Sequence, residues 1–306
     1  MPILNNASSV IIKYAACPIC NSGNIQPHIE VKDFSVSKEI FKISFCEQCT
    51  GLFTDNVPNQ ASIGPYYQFE NYISHTDTST GIIDKLYKSV RKLTLRTKRK
   101  LIEQYSNKRT GQILDVGCGT GAFLKEMKEN GWHITGLEPD ELARNNANRI
   151  NGINPLPSDD LYSLDTTTDA ITLWHVLEHV HDLHGYMKRF NNLLNADGIL
   201  CIAVPNYTSN DATHYRSNWA AYDVPRHLYH FSPKSMQLLA ASHGFKIEAM
   251  QPMWFDSFYV SLLSEQYKHG SQNLISAFWR GLVSNATALI DPSKCSSIIY
   301  ILKKIN

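Results

Sequence analysis

The chain predicts an α/β fold on a mostly parallel sheet, and three observations carry that reading. Ile113, Leu114 and Val116 form an apolar, partly β-branched run, the pattern of a strand buried on both faces. Gly117, Gly119 and Gly121 follow at once, where the chain must turn tightly and let a ligand touch bare backbone. A helical pattern then runs from about Ala122 to Asn130 and stops at Gly131, a good helix terminator. Strand, glycine turn and helix together open a nucleotide-binding unit.

The glycines alone leave the ligand open, because Gly117, Gly119 and Ala122 also satisfy the dinucleotide fingerprint. Asp115 separates the readings. A carboxylate at the strand's mouth repels a pyrophosphate and suits a ligand that brings positive charge, such as a sulfonium with an ammonium group. Glu138 ends a second predicted strand, His133–Glu138, roughly 20 residues past the turn, where an acid accepts hydrogen bonds from ribose hydroxyls. That placement serves either cofactor.

Four stretches in series resemble the motifs of class I S-adenosylmethionine-dependent methyltransferases: LDVGCGTG at 114–121, GLEPD at 136–140, WHVLEHVHD at 174–182 and DGILCIAVPN at 197–206. The match spans roughly residues 112–245. The resemblance implies a Rossmann-like, seven-stranded, mostly parallel sheet with S-adenosylmethionine at the carboxyl ends of its strands. Around that cofactor it places Asp115, Gly117, Cys118, Gly119, Gly121, Glu138, Pro139, Ser158, Asp159, Trp174 and His175.

Composition sets the outer bounds. The chain has 306 residues, 43% hydrophobic and 19% charged, as expected for a globular protein with a full core. A formal net charge of +1 provides no global attraction to nucleic acid or to acidic membranes. No apolar run approaches the roughly 18 residues of a membrane span, and residues 1–17 lack a leader pattern, so a cytoplasmic enzyme is expected.

Of the seven cysteines, Cys17 and Cys20, and Cys46 and Cys49, form two CxxC pairs on turn-like sequence. Two such pairs can close a tetrahedral thiolate site for structural Zn2+, with four protein ligands and no open position for substrate, the alternatives being unliganded thiols or two redox pairs. Residues 1–60 are therefore expected to form a small zinc-ribbon-like module. Residues 61–110 follow as a connecting loop and helix. The polar, aromatic loop from Tyr66 to Gly81 resembles the segment that folds over the cofactor in zinc-ribbon methyltransferases, sugar C-methyltransferases among them, which implies Tyr72 and His75 as cofactor contacts. Ile82–Tyr105 reads as a helix whose basic face, including Arg91, Lys92, Arg96 and Lys98, is expected to be solvated. Nothing aromatic interleaves between Arg91 and Lys98 for base stacking, so no nucleic-acid partner is expected.

The methyltransferase domain is expected over 111–306. A weak third strand at Ile153–Leu156 is broken by prolines. A fourth runs Ala170–Trp174, a fifth Ile199–Val204, a sixth Lys246–Gln251 and an antiparallel seventh Ser297–Lys303. His175 and His179 lie one helical turn apart, a spacing that could ligate a metal, but the sequence suggests no third ligand.

The segment 206–232 is far longer than a strand-to-helix connection needs, and it leaves the edge where an acceptor must lie. It is expected to be an acceptor lid, with His227 or His230 as general base, Arg226 as anchor for an acidic acceptor and Tyr222 or Asp223 orienting it. An aromatic helical insertion at 254–296 is expected to pack on the lid or to form a homodimer contact, with shallow membrane contact as the second reading. The acceptor is expected to be a small molecule, acidic or sugar-like. Two competing classes are an NAD-dependent oxidoreductase, which must explain Asp115, and a non-catalytic scaffold that binds zinc and cofactor.

Overall fold

The computed structural model describes residues 11–67 and 82–305, with the backbone alone for 82–89. Tyr72 and His75 lie outside the described residues.

The N-terminal portion contains short antiparallel strands. β1 (Ile11–Ile12), β2 (Ile25–Lys32), β3 (Ile40–Cys46), β4 (Leu52–Thr54) and β5 (Val57–Pro58) lead through α1 (Ile82–Ser106) into the main sheet. There β6 (Gln112–Val116) and the glycine turn precede α2 (Ala122–Glu129), β7 (His133–Leu137), α3 (Glu141–Asn146), β8 (Thr168–Trp174), α4 (Leu183–Leu193) and β9 (Leu194–Pro205). The lid contains α5 (Asn210–Tyr215) and β10 (Tyr229–His230). The chain closes with α6 (Pro233–Ser242), β11 (Phe245–Pro252), α7 (Asp256–His269), α8 (Leu274–Ile290) and β12 (Ser297–Lys304).

Helix boundaries follow local chemistry. Asp140 accepts from the Ala143 amide at the start of α3, and Asp182 from the Gly185 amide at the start of α4. Ser232 and Ser235 form a reciprocal capping box around Pro233 at the start of α6.

The main sheet has the order β11-β12-β9-β8-β6-β7. β7, β6, β8 and β9 are parallel, and β12 is inserted antiparallel between β9 and β11. The order reverses at β6, which puts a topological switch point, and hence the ligand crevice, at the carboxyl ends of β6 and β8. Leu114, Ile171, Leu173, Leu200 and Ile202 in these strands are fully buried.

The expected third strand is a correction. Residues 153–156 contribute one bridge, Leu137 to Leu156, through Leu156 N to Gly136 O and Glu138 N to Leu156 O. Pro155 and Pro157 have no amide hydrogens to continue the ladder, so among the described residues the sheet has six strands. β9 also begins earlier than expected, at Leu194.

The module and the lid are stitched together. A four-stranded sheet runs β10-β4-β3-β2, so its edge strand comes from the lid, with Tyr229 opposite Phe53 and His230 opposite Leu52. Thr54 N bonds to Leu228 O, the Thr54 hydroxyl donates to His227 O, and the Thr50 and Ser232 hydroxyls are 2.8 Å apart.

A second core lies between module, lid and insertion. It joins Val31, Phe41 and Ile43 to Tyr215, Trp219, Tyr222 and Val260. The insertion packs on the lid here: Tyr215 donates to Glu265, and Ser284 donates to buried Asp211. Phe34 stacks on Tyr267 with ring centres 4.4 Å apart. On α8 the small residues Ala277, Gly281 and Ser284 face inward. A Cβ on Gly281 would come within 2.5 Å of Phe258, so only glycine allows this approach to α7. No helix among the described residues is long and apolar enough to cross a membrane.

Candidate active site

The glycine turn is built from left-handed backbone. Gly117, Gly119 and Gly121 have φ of 68°, 54° and 72°. Gly117 and Cys118 amides both bond to Leu137 O, which ties the turn to β7. At Gly119 an added Cβ would meet nothing within 4 Å, so a bare-backbone cradle opens there. Glu138 spans the turn's far side, one carboxylate oxygen accepting from the Gly119 amide at 2.8 Å and the other from Asp140 at 3.0 Å.

Asp115 is 2% exposed and accepts from the Thr172 hydroxyl at 2.6 Å. Burial pushes it up to about 7, against the Thr172 bond and the Lys98 ammonium, which favour its charge. Lys98 corrects the solvated-face expectation for α1. Its ammonium lies 4.0 Å from the centre of the Trp174 ring, a cation–π contact at the end of β8. Burial lowers its pKa, opposed by the charges of Asp115 and Asp256. Ser158 and Asp159 open a short 3₁₀ turn past the Leu156 bridge, and Pro139 precedes the cap of α3.

His175 adopts φ +58°, an unusual backbone for a non-glycine residue and one found at functional strand ends. Its Nδ1 lies 3.3 Å from Glu178 Oε1 and its Nε2 2.7 Å from Asp256 Oδ2. Burial opposes its charge, yet Asp256 and then Glu178 outweigh that and hold it up to about 10. Asp256 carries no sequence signal of a role; the insertion delivers it to the site from the first turn of α7. Glu178 is completely buried. Burial opposes its charge, but His175 holds its carboxyl below the ordinary value.

The lid residues fall into two groups. Arg226 was expected to meet an acidic acceptor, but its guanidinium is committed inside the chain: to Asp223 at 2.6 and 3.0 Å, to Asp33 at 2.9 Å and to Tyr66 O. The fork is a strap between lid and module. His230 bonds through Nε2 to Thr54 Oγ1 at 3.0 Å. Because the Thr54 hydrogen already goes to His227 O, His230 is the donor there, and burial holds its pKa well below the ordinary value. Tyr222 packs edge-on against Trp219 and His230, and burial pushes its phenol up to about 12.

His227 differs. Its Nδ1 lies 2.8 Å from Ala221 O and its Nε2 4.0 Å from Asp223. A carbonyl can only accept, so Nδ1 carries the hydrogen and Nε2 keeps its lone pair. His227 and His179 pack edge to face, with ring centres 4.6 Å apart.

The four module cysteines converge. Cys17 and Cys49 sulfurs are 3.7 Å apart, and Cys20 and Cys46 sulfurs 3.5 Å. A tetrahedral zinc site with Zn–S of about 2.3 Å sets its sulfurs about 3.8 Å apart. All four lie within 4.8 Å of one another, and Asn21 and Thr50 take the positive φ that each knuckle turn requires. The donor set and spacing fit Zn2+.

A family model described as "Methyltransferase domain" matches residues 87–250, more than half the chain. A demethylmenaquinone methyltransferase of Tropheryma whipplei (strain Twist) is 25% identical over 183 residues, 58% of this chain and 72% of that protein. A ubiquinone biosynthesis O-methyltransferase of Actinobacillus pleuropneumoniae serotype 5b is 33% identical over 121 residues, 35% of this chain and 51% of that protein. The chain thus spans between half and three quarters of these relatives. Among solved structures, a SAM-dependent methyltransferase from Archaeoglobus fulgidus aligns at TM-score 0.47 and 20% identity, covering 70% of this chain and 94% of that one.

Proposed function

Since this chain belongs to the methyltransferase-domain family, and is by fold and motif a class I S-adenosylmethionine-dependent methyltransferase, we propose that it methylates a hydroxyl-bearing small molecule held beneath the lid. When bound, S-adenosylmethionine supplies a methyl group activated by its sulfonium. The Gly119 cradle, Glu138 and Asp115 are the groups that would hold it, and Asp115 is the acid that favours a cationic ligand over a dinucleotide. The chain's own work is to align the acceptor, which is worth up to roughly 7–11 kcal/mol through positioning.

The observation that carries the catalytic reading is the tautomer of His227. Its Nε2 lone pair is available to take the acceptor's proton, as the acceptor oxygen forms its bond to the methyl carbon and the C–S electron pair returns to sulfur. The relatives' names point to quinone-related acceptors, and the Actinobacillus pleuropneumoniae protein's name specifies O-methylation, which is consistent with base-assisted transfer to a hydroxyl. The module serves as a structural zinc site that holds β4, and through β10 the lid carrying His227, in place. Zinc analysis of Cys20→Ser/Cys46→Ser protein is expected to find one zinc per chain fewer than in wild type.

The test is methyl transfer from labelled S-adenosylmethionine to a panel of catechols, hydroxyquinones and nucleotide sugars. Turnover of a phenolic member that is lost in His227→Ala supports the reading. Turnover confined to nucleotide sugars would overturn the acceptor class.

A further inference from the structure

We infer that Glu178, His179 and His227 form a second metal site, a two-histidine, one-carboxylate set for a divalent cation of the Zn2+, Fe2+ or Mn2+ kind, beneath the lid. One ligating atom from each lies within 4.8 Å of the others. Closing on a cation at about 2.0–2.2 Å asks these atoms to approach to roughly 3–3.5 Å, a side-chain adjustment. The sequence spacing offered His175 and His179 with no third partner. The fold substitutes Glu178 for His175 and brings His227 in from 48 positions further along.

Three independent features support a ligand there. First, both rings are oriented as metal-binding imidazoles are. His179 Nδ1 lies 3.0 Å from Arg226 O and 3.1 Å from the Tyr67 hydroxyl, and His227 Nδ1 2.8 Å from Ala221 O. A carbonyl can only accept, so each Nδ1 carries its hydrogen, which at His179 is shared between Arg226 O and Tyr67, and each Nε2 is left as the ligating atom. Second, Glu178 is 0% exposed, and its Oε2 is buried without a hydrogen-bond partner while Oε1 faces His175. A buried, unpaired carboxylate oxygen is costly unless something binds it. Third, the set is fixed to the lid, because the Leu228 amide bonds to Glu178 O. Glu178 is paired with His175 and Asp223 with Arg226, so the attraction for a cation comes from the unpartnered Glu178 oxygen and the two imidazole nitrogens rather than from net charge. Two nitrogens and one oxygen suit a borderline metal and leave coordination positions open for an acceptor oxygen.

This inference rests on the acceptor reading above and changes its chemistry. With a cation bound, His227 is a ligand, and the acceptor's hydroxyl ionises because the cation lowers its pKa, giving its proton to water.

The experiment titrates Mn2+, then Zn2+, calorimetrically into full-length protein treated with a mild chelator that leaves the thiolate site loaded, in wild type, Glu178→Gln and His227→Asn. Folding of each variant is checked by S-adenosylhomocysteine binding. The expected result is one site per chain, weakened 10–100-fold or more in both variants. The same protein is assayed for methyl transfer with and without chelator. No cation bound by wild type, or equal affinity in both folded variants, overturns the inference. Chelator-resistant turnover that still needs His227 also overturns it, and leaves the free-base reading standing.

Discussion

The strap between module and lid makes a quantitative prediction. Asp33 is 1% exposed, accepts from the Ser35, Val36 and Ser37 amides, and pairs with Arg226 Nη2 at 2.9 Å. Burial resists its ionisation, but Arg226 and those amides hold its pKa at about 2, against an ordinary 3.8. At about 1.4 kcal/mol per unit, that depression stabilises the folded, strapped state by about 2.5 kcal/mol. Asp33→Asn keeps an acceptor oxygen and removes the charge, so it should lose most of that amount, about a 30-fold change in equilibrium.

The sign follows from the direction of the shift. A depressed carboxylate contributes fully above 3.8, and the contribution is lost as pH falls toward 2. Thermal unfolding at pH 7 should therefore separate wild type from Asp33→Asn clearly, and the gap should narrow below pH 4. Amide exchange at Thr54 and Leu228, whose hydrogen bonds join module, lid and the Glu178 turn, should accelerate in the variant. A variant as stable as wild type at pH 7, or a deficit that persists unchanged at pH 3, would refute the strap.

Other consequences are as direct. His227→Ala should cut turnover by about 10²–10⁴ while leaving S-adenosylhomocysteine affinity within a factor of two or so, as measured by steady-state kinetics beside calorimetry. Gly119→Ala places a Cβ in the open cradle on backbone of φ +54°. It should cost about 1 kcal/mol of stability and weaken S-adenosylhomocysteine by roughly 10-fold or more, which a calorimetric titration would register. His175, raised to about 10, is protonated at neutral pH. Its pairing with Asp256 and Glu178 stabilises the fold fully below about 6.5 and ceases as pH rises through about 10. The wild-type advantage over His175→Asn in thermal unfolding should thus shrink between pH 7 and pH 11.

Much of the main sheet was legible because its signals are local. Apolar β-branched runs, the three glycines of one turn and an acid at the ends of β6 and β7 are each read from a few neighbouring residues. The third strand failed because Pro155 and Pro157 remove ladder donors, leaving one bridge. The lid was recognised by its length and polar aromatic content, but not its attachment. β10 is two residues long and pairs with β4, some 175 positions away, and no periodicity announces so short a strand.

Arg226 was expected to anchor an acidic acceptor, and its actual partner, Asp33, looks like any loop acid in sequence. Lys98 was assigned to the solvated face of α1, where Lys92, Arg96 and Lys100 are indeed exposed, but its own ammonium lies over Trp174. Asp256 and the pairing of Glu178 with His227 are products of tertiary packing. The spacing of the histidines was visible, while the carboxylate that completes the set was hidden by its place on a 3₁₀ turn.

Isothermal titration of the full-length protein with S-adenosylhomocysteine and, separately, with NAD tests the central claim most directly. Binding of one S-adenosylhomocysteine per chain, abolished or strongly weakened in Gly119→Ala, with no heat from NAD, is the predicted result. Saturable NAD binding with no response to S-adenosylhomocysteine would contradict it.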